Sequence, residues 1–197
     1  MPPKKKSGGN TPAANQPLNQ IEVNNNNIYF NNDITSDSVA ELCDHLRAMD
    51  EKLITIKANY RIEDEIPIYL HLSSYGGSIL AALAAFDAIS SIKTPVYTVI
   101  DGYVSSSGTV LSLAGEKRFI KPNAFVYLHE LTTIIWGRMT HINVNLHNTE
   151  KVMERVIKIY VQKTKFSEEK LRQILKKDST YNAKSVIEYG IAHEIYK

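Results

Sequence analysis

The sequence predicts a single α/β domain built on a mainly parallel sheet. Three observations carry that reading. Short apolar runs of strand length alternate with segments whose apolar residues recur at helical spacing, the pattern of stacked strand–helix–strand units. The turns joining them are rich in Gly and Ser, as in Ser73 to Ser78 and Gly102 to Gly108. The chain has 197 residues, 43% of them hydrophobic, which suits one core of ordinary size rather than two independent domains.

Residues 1–20 are rich in Pro, Asn, Gln and Gly and poor in apolar side chains. They cannot bury enough surface to offset the entropy of ordering, so a disordered tail is expected there and the domain is expected to span 21–197. Ile28 to Phe30 reads as a short strand. Thr35 or Ser36 then caps a helix with Val39, Leu42, Leu46 and Met49 at helical spacing. Ile66 to Leu72 reads as a largely buried strand. Ser78 caps a helix to about Ile92 whose apolar face is Ile79, Leu80, Leu83, Phe86 and Ile89, and Thr94-Pro95 ends it.

Val96 to Ile100 is the next strand, Gly102 to Ser105 a bend, and Ser106 to Ala114 a small-residue helix with Gly115 as its stop. Phe119-Ile120 and Ala124 to Leu128 follow as strands around a Lys121-Pro122-Asn123 turn, and Thr132 to Trp136 is β-prone. From about 140 to 164, Ile142, Leu146, Val152, Met153, Val156, Ile159 and Tyr160 define one long helix. It is longer than a domain of this size needs to cover its own core, which points to packing against another subunit. Ser167 caps a shorter helix to Lys176, and Asn182 or Ala183 opens a last one ending near Tyr189. No internal repeat is visible.

Charge and composition exclude several function classes. With 23 Lys+Arg against 21 Asp+Glu the formal charge is only +2, so neither nucleic acid nor an anionic membrane is an expected partner. Cys43 is the single cysteine, which rules out an intramolecular disulfide and a multi-cysteine zinc site. Its neighbours Val39, Leu42 and Leu46 predict a buried thiol. No apolar run approaches the ~18 residues of a membrane span, and no signal-peptide core opens the chain. A cytoplasmic protein is expected, with the Lys4-Lys5-Lys6 start read as a solvated segment and an organelle address left open.

Two strand-to-helix turns, Tyr75-Gly76-Gly77-Ser78 and Gly102 to Gly108, place free backbone N–H groups at a helix start. Such donors can stabilise an oxyanion, bind a phosphate, or merely permit a tight turn. Ser105, Ser106 and Ser107 offer three candidate nucleophiles, each equally readable as an ordinary helix cap. His129, at a strand end, suits general-base work, although a lone histidine commonly has a structural role. Asp178, just past a helix, can orient an imidazole or simply be solvated.

Together and in order, Ser73-Ser-Tyr-Gly-Gly-Ser78, Gly102-Tyr-Val-Ser-Ser-Ser-Gly108, Lys121-Pro-Asn123, Tyr127-Leu-His129, Asp178 and Glu188-Tyr-Gly190 resemble the signature segments of the Clp protease proteolytic subunit family. The resemblance runs from about Ile28 to Ile195. It implies a Clp/crotonase-type superhelix of repeated ββα turns, with the 140–164 segment as a handle helix. It implies a serine endopeptidase with Ser106 as nucleophile, His129 as base, Asp178 as orienting carboxylate, and the N–H groups of Gly77 and Ser107 as oxyanion donors. It further implies stacked heptameric rings of this chain, unfolded polypeptide substrates, and a separate AAA+ unfoldase that consumes ATP, with no cofactor or metal in this subunit.

The chain departs from the family pattern at several places. Tyr75 stands where proline is usual, Glu130 to Gly137 replaces a Gln-Pro segment leading to a glycine pair, and Lys176-Lys177 replaces an acidic residue and an arginine. Of two aromatics usual in the partner-docking strand, Tyr69 is present and His71 takes the other place. Two other classes compete with an active peptidase. One is a non-catalytic ring subunit. The other is a crotonase-like acyl-CoA enzyme, which leaves His129 and Asp178 unexplained.

Overall fold

The computed structural model describes residues 21–197; the tail expected over 1–20 lies outside the described residues. The chain begins with a hairpin of β1 (Glu22–Asn24) and β2 (Asn27–Phe30). Its turn carries Asn25 at φ 55°, a left-handed conformation that Asn tolerates through its short polar side chain. Helix α1 (Ser36–Tyr60) opens on a capping box in which Thr35 and Ser38 satisfy each other's backbone N–H, and closes at Arg61 in the left-handed region. Then come β3 (Ile68–Ser74), α2 (Ile79–Ser91), β4 (Val96–Ser105), α3 (Ser107–Ser112), β5 (Lys117–Ile120) and β6 (Phe125–Leu128). The chain ends with α4 (Met139–Lys163), α5 (Glu168–Leu175), β7 (Ser179–Asn182), α6 (Ala183–Glu188) and β8 (Glu194–Ile195).

The main path of the sheet runs β1-β2-β3-β4-β5-β8 and is parallel except for the opening hairpin, while β6 and β7 branch from it as an antiparallel pair. One strand sets its shape. The first half of β4 lies between β3 and β5, while Tyr103 to Ser105 pairs instead with β6. The pairing of β3 with β4 shifts register between Leu72 and Ser74, and Gly102 bridges the change at φ 90°. The expected bend over 102–105 is therefore the second half of a single ten-residue strand. Only a partner strand makes it one.

Strand alternation gives the sheet two unlike faces. Ile28, Phe30, Leu70, Leu72 and Ile100 point into the core, where they meet Leu42 and Leu46 of α1 and Ala82 and Ala85 of α2. On the other face Tyr69, Tyr97, Phe119 and Tyr196 meet edge-on or tilted, and Tyr29 stacks on His71 with ring centroids 4.5 Å apart. Cys43 is buried as expected, and burial pushes its thiol pKa up.

Other departures from expectation have local causes. The β-prone stretch Thr132 to Trp136 forms no strand, since nothing in the described residues pairs with it, and Ile134 and Trp136 are almost fully exposed. In α2 the buried side is Ala81, Ala82, Ala85, Phe86 and Ile89, while Leu80 points outward. Gly115 ends no helix in a left-handed turn. A Cβ there would stand 2.5 Å from Thr98 Oγ1 and 2.8 Å from Thr98 N, so glycine lets this turn pass against β4. Strands β1, β7 and β8 were not foreseen. Helix α4 matches its expected span, but only its second half buries apolar residues (Val156, Ile157, Ile159 and Tyr160), leaving Val144 and Leu146 exposed.

His71 is 3% exposed. Its Nε2 lies 3.1 Å from Asn27 Oδ1, and its Nδ1 lies 3.6 Å from Asp101 Oδ2, which also pairs with Lys121 at 2.6 Å. Burial lowers the His71 pKa, the Asp101 carboxylate opposes that, and Lys121 reinforces it. The folded state thus binds fewer protons than the unfolded one below the ordinary imidazole value of ~6.5. The stability this residue contributes is complete above ~6.5 and is lost as pH falls through the lower folded value. Urea unfolding midpoints should therefore decline between about pH 7 and pH 5, and His71→Gln should flatten part of that slope. Identical slopes for wild type and variant would remove His71 as a source.

Candidate active site

The loop leaving β3 is strapped to the segment before α1. Ile34 N–H donates to Gly76 O and Ser78 N–H donates to Ile34 O, both at 2.7 Å. Gly76 and Gly77 adopt φ of 97° and 141°. A Cβ on Gly77 would stand 2.3 Å from Ile34 O, and one on Gly76 2.7 Å from Ser106 Cβ. Both glycines serve close approach, and the loop they make lies against the β4–α3 junction.

At that junction the chain turns sharply between Ser105, the last residue of β4, and Ser107, the first of α3. Ser106 at the apex has φ 54° and ψ −129°, a region that residues with a side chain seldom occupy. A strand-to-helix elbow of this kind presents its apical side chain to solvent. The three consecutive serines are thereby distinguished. Ser105 is buried and its Oγ donates to Tyr75 O at 3.0 Å, Ser107 is buried, and Ser106 is half-exposed. The Ser106 N–H donates to Tyr127 O at 3.3 Å, which ties the elbow to β6. The N–H groups of Gly77 and Ser107 donate to no acceptor among the described residues.

His129 and Asp178 arrive from the neighbouring hairpin. Strands β6 and β7 pair antiparallel, with Leu128 opposite Ser179. His129 follows Leu128 and Asp178 precedes Ser179, so the register brings the two to the same end of the ladder. The His129 ring lies 5.3 Å from that of Tyr127. Asp178 is exposed and left-handed, at φ 47°. No hydrogen bond or ion pair joins Ser106, His129 and Asp178 in this arrangement.

Ser106 and His129 line a common pocket of ≈ 40 Å³ walled by Ile79, Val110, Leu128, Met153 and Val156. Asp178 does not reach it. The pocket adjoins a groove of ≈ 490 Å³ between Leu131 to Ile135 and the first half of α4, into which Leu80 points. Two further lining residues, Thr109 and Tyr160, went unnoticed as site residues in the sequence. Tyr160 was legible only as a buried helix position whose hydroxyl would need a partner. Nothing local marks Thr109. Among the described residues no group of three His, Cys, Asp or Glu is placed to hold a metal, and no helix is long and apolar enough to cross a membrane.

Fold and site define the class: an α/β protein whose parallel sheet delivers a strained serine, a histidine and unpaired amide donors to one pocket. Comparison with known proteins agrees with that assignment. The Clp protease family model matches residues 19–197. The ATP-dependent Clp protease proteolytic subunit 2 of Treponema denticola is 35% identical over 133 residues, a stretch that spans 66% of this chain and 66% of that protein. The chain belongs to the Clp protease family.

The strap between Ile34 and the glycine loop is directly testable. Gly77→Ala places a Cβ against backbone that has no rotamer by which to yield, so a loss of about 1–3 kcal/mol is expected, as for overpacking elsewhere. Ser78→Ala, which removes only the α2 cap, should cost about 1 kcal/mol. Urea unfolding checks both, and an unchanged midpoint for Gly77→Ala would mean the loop can lift from Ile34.

Proposed function

We propose that this chain is a serine peptidase subunit in which Ser106 attacks the scissile carbonyl, His129 accepts its proton, and Asp178 orients the imidazole. The observation that carries the reading is the elbow. Ser106 sits in a conformation that costs about 1–3 kcal/mol, at the mouth of a pocket that His129 also lines. As the tetrahedral intermediate forms, negative charge develops on the carbonyl oxygen, and the unpaired N–H groups of Gly77 and Ser107 are available to receive it. Protonated His129 then gives its proton to the leaving amine, and water hydrolyses the acyl-enzyme by the same route. The three side chains are not hydrogen-bonded to one another here, and catalytic contacts of this kind commonly tighten only around substrate.

The groove beside the pocket suits an extended polypeptide, because the unpaired Leu131 to Ile135 backbone offers hydrogen bonds along its length. The apolar walls near Ser106 suit an apolar side chain before the cleaved bond. The bare first half of α4, with Val144 and Leu146, supports assembly through that helix, and stacked heptameric rings are the proposed form. The aromatic face around Tyr69 and His71 supports docking of an ATP-driven unfoldase, the subunit itself using no cofactor. A cytoplasmic location accompanies this reading. The alternative reading is a non-catalytic ring subunit.

A fluorophosphonate separates the two, since it reacts only with a serine that has an aligned base and oxyanion donors. Labelling at Ser106 is expected in the assembled particle. Ser106→Ala should lower peptide hydrolysis by roughly three orders of magnitude or more with the particle size unchanged. An unlabelled, inactive wild-type particle would establish the non-catalytic reading, and labelling at Ser105 or Ser107 would move the nucleophile.

A further inference from the structure

Thr109 and Tyr160 form a hydrogen-bonded pair directly beneath the elbow, and the pair ends on a single atom. Thr109 N–H donates to Ser106 O at 3.0 Å, and Thr109 Oγ1 donates to the same oxygen at 2.6 Å. With its one proton committed there, the threonine hydroxyl can only accept from Tyr160 Oη, to which it is also hydrogen-bonded. Thr109 is 0% and Tyr160 2% exposed. Both hydroxyls are thus withdrawn from bulk solvent. Burial pushes the Tyr160 pKa up, so the phenol remains a donor at any working pH.

The carbonyl at the end of this chain belongs to the same rigid peptide as the Ser107 N–H. A trans peptide is planar, with its C=O and N–H pointing in opposite directions. Whatever fixes the direction of Ser106 O therefore also fixes where the Ser107 N–H points. Donors to a carbonyl also polarise its peptide and strengthen the N–H on the other side. We infer that Thr109 and Tyr160 are positioning residues that aim and polarise the Ser107 oxyanion donor, linking α4 to the nucleophile turn. This rests on the reading of Ser106 as nucleophile. Neither residue touches the substrate's reacting atoms; each acts through the Ser106–Ser107 peptide.

The test uses the assembled full-length protein and three variants: Thr109→Val, which keeps shape and loses the hydroxyl, Thr109→Ser, which keeps the hydroxyl, and Tyr160→Phe. Hydrolysis of a fluorogenic peptide gives kcat and KM, and a fluorophosphonate gives the labelling rate at Ser106. A peptide boronate, whose serine adduct is tetrahedral, reports oxyanion binding. Thr109→Val and Tyr160→Phe are expected to lower kcat, labelling rate and boronate affinity by about tenfold, less than complete loss of an oxyanion donor costs. KM should stay within about twofold and the pH profile should keep its shape, while Thr109→Ser should behave as wild type.

Two results would overturn the inference while leaving Ser106 as nucleophile. One is wild-type kcat and boronate affinity in both Thr109→Val and Tyr160→Phe. The other is a loss in Thr109→Ser equal to that in Thr109→Val, which would make the threonine a packing residue. A wild type that neither hydrolyses the peptide nor labels at Ser106 would instead overturn the peptidase reading, and the inference with it. Should Thr109→Val fail to assemble, Tyr160→Phe alone decides, because it deletes one hydroxyl and no packing volume.

Discussion

The backbone of Ser106 is held where a residue with a side chain rarely rests, and much of the surrounding structure consists of what holds it there. The cost of about 1–3 kcal/mol is matched by local contacts. Ser106 N–H reaches Tyr127 O, its carbonyl receives both the N–H and the hydroxyl of Thr109, and Gly76 leaves room for its Cβ. At about 1 kcal/mol for each hydrogen bond, the three are comparable to the strain. The route of β4 makes them possible. By changing partners at Gly102, the strand carries Ser106 out of the sheet's middle and over to β6, whose Tyr127 supplies the acceptor.

The same change of partner fixes where His129 and Asp178 stand. Strand β6 is held on one side by the end of β4 and on the other by β7, so His129 and Asp178 inherit their positions from hydrogen-bond register. The main body of the sheet does different work on its two faces. Aliphatic side chains on one pack under α1 and α2, while aromatic rings and His71 occupy the other. At the edge of that face, Asp101 lies between His71 and Lys121.

Helix α4 is anchored at one end only. Val156, Ile157, Ile159 and Tyr160 fasten its second half to the core. Arg118 secures its terminus, donating to the carbonyls of Lys163, Gly190 and Ile191 from a position 6% exposed. A buried guanidinium with three carbonyl partners needs no carboxylate to be satisfied, and here it joins β5, α4 and the last turn of the chain. Among the described residues the first half of α4 has no such ties, and its Val144 and Leu146 stay exposed. Through Thr109 and Tyr160, the anchored half reaches the peptide next to Ser106.

Features that depend on near neighbours in the chain were legible in the sequence. The caps Thr35, Ser78, Ser167 and Asn182 mark their helices because a cap bonds within three residues of itself. The span of α4 followed from one apolar period. The ordered resemblance of the Gly-Gly-Ser, triple-serine and Tyr-Leu-His segments pointed to the family that comparison then established. Tertiary structure alone decided the rest, because a short strand exists only where a partner supplies its hydrogen bonds. Strands β1, β7 and β8 acquired partners, whereas Thr132 to Trp136, with comparable propensity, did not. The same holds at the site. Ser105, Ser106 and Ser107 are alike in sequence, and only the approach of Gly76, Tyr127 and Thr109 from distant or successive elements sets Ser106 apart. Thr109 and Tyr160 are 51 residues apart in the chain, and no local pattern encodes a contact made by packing α4 against α3.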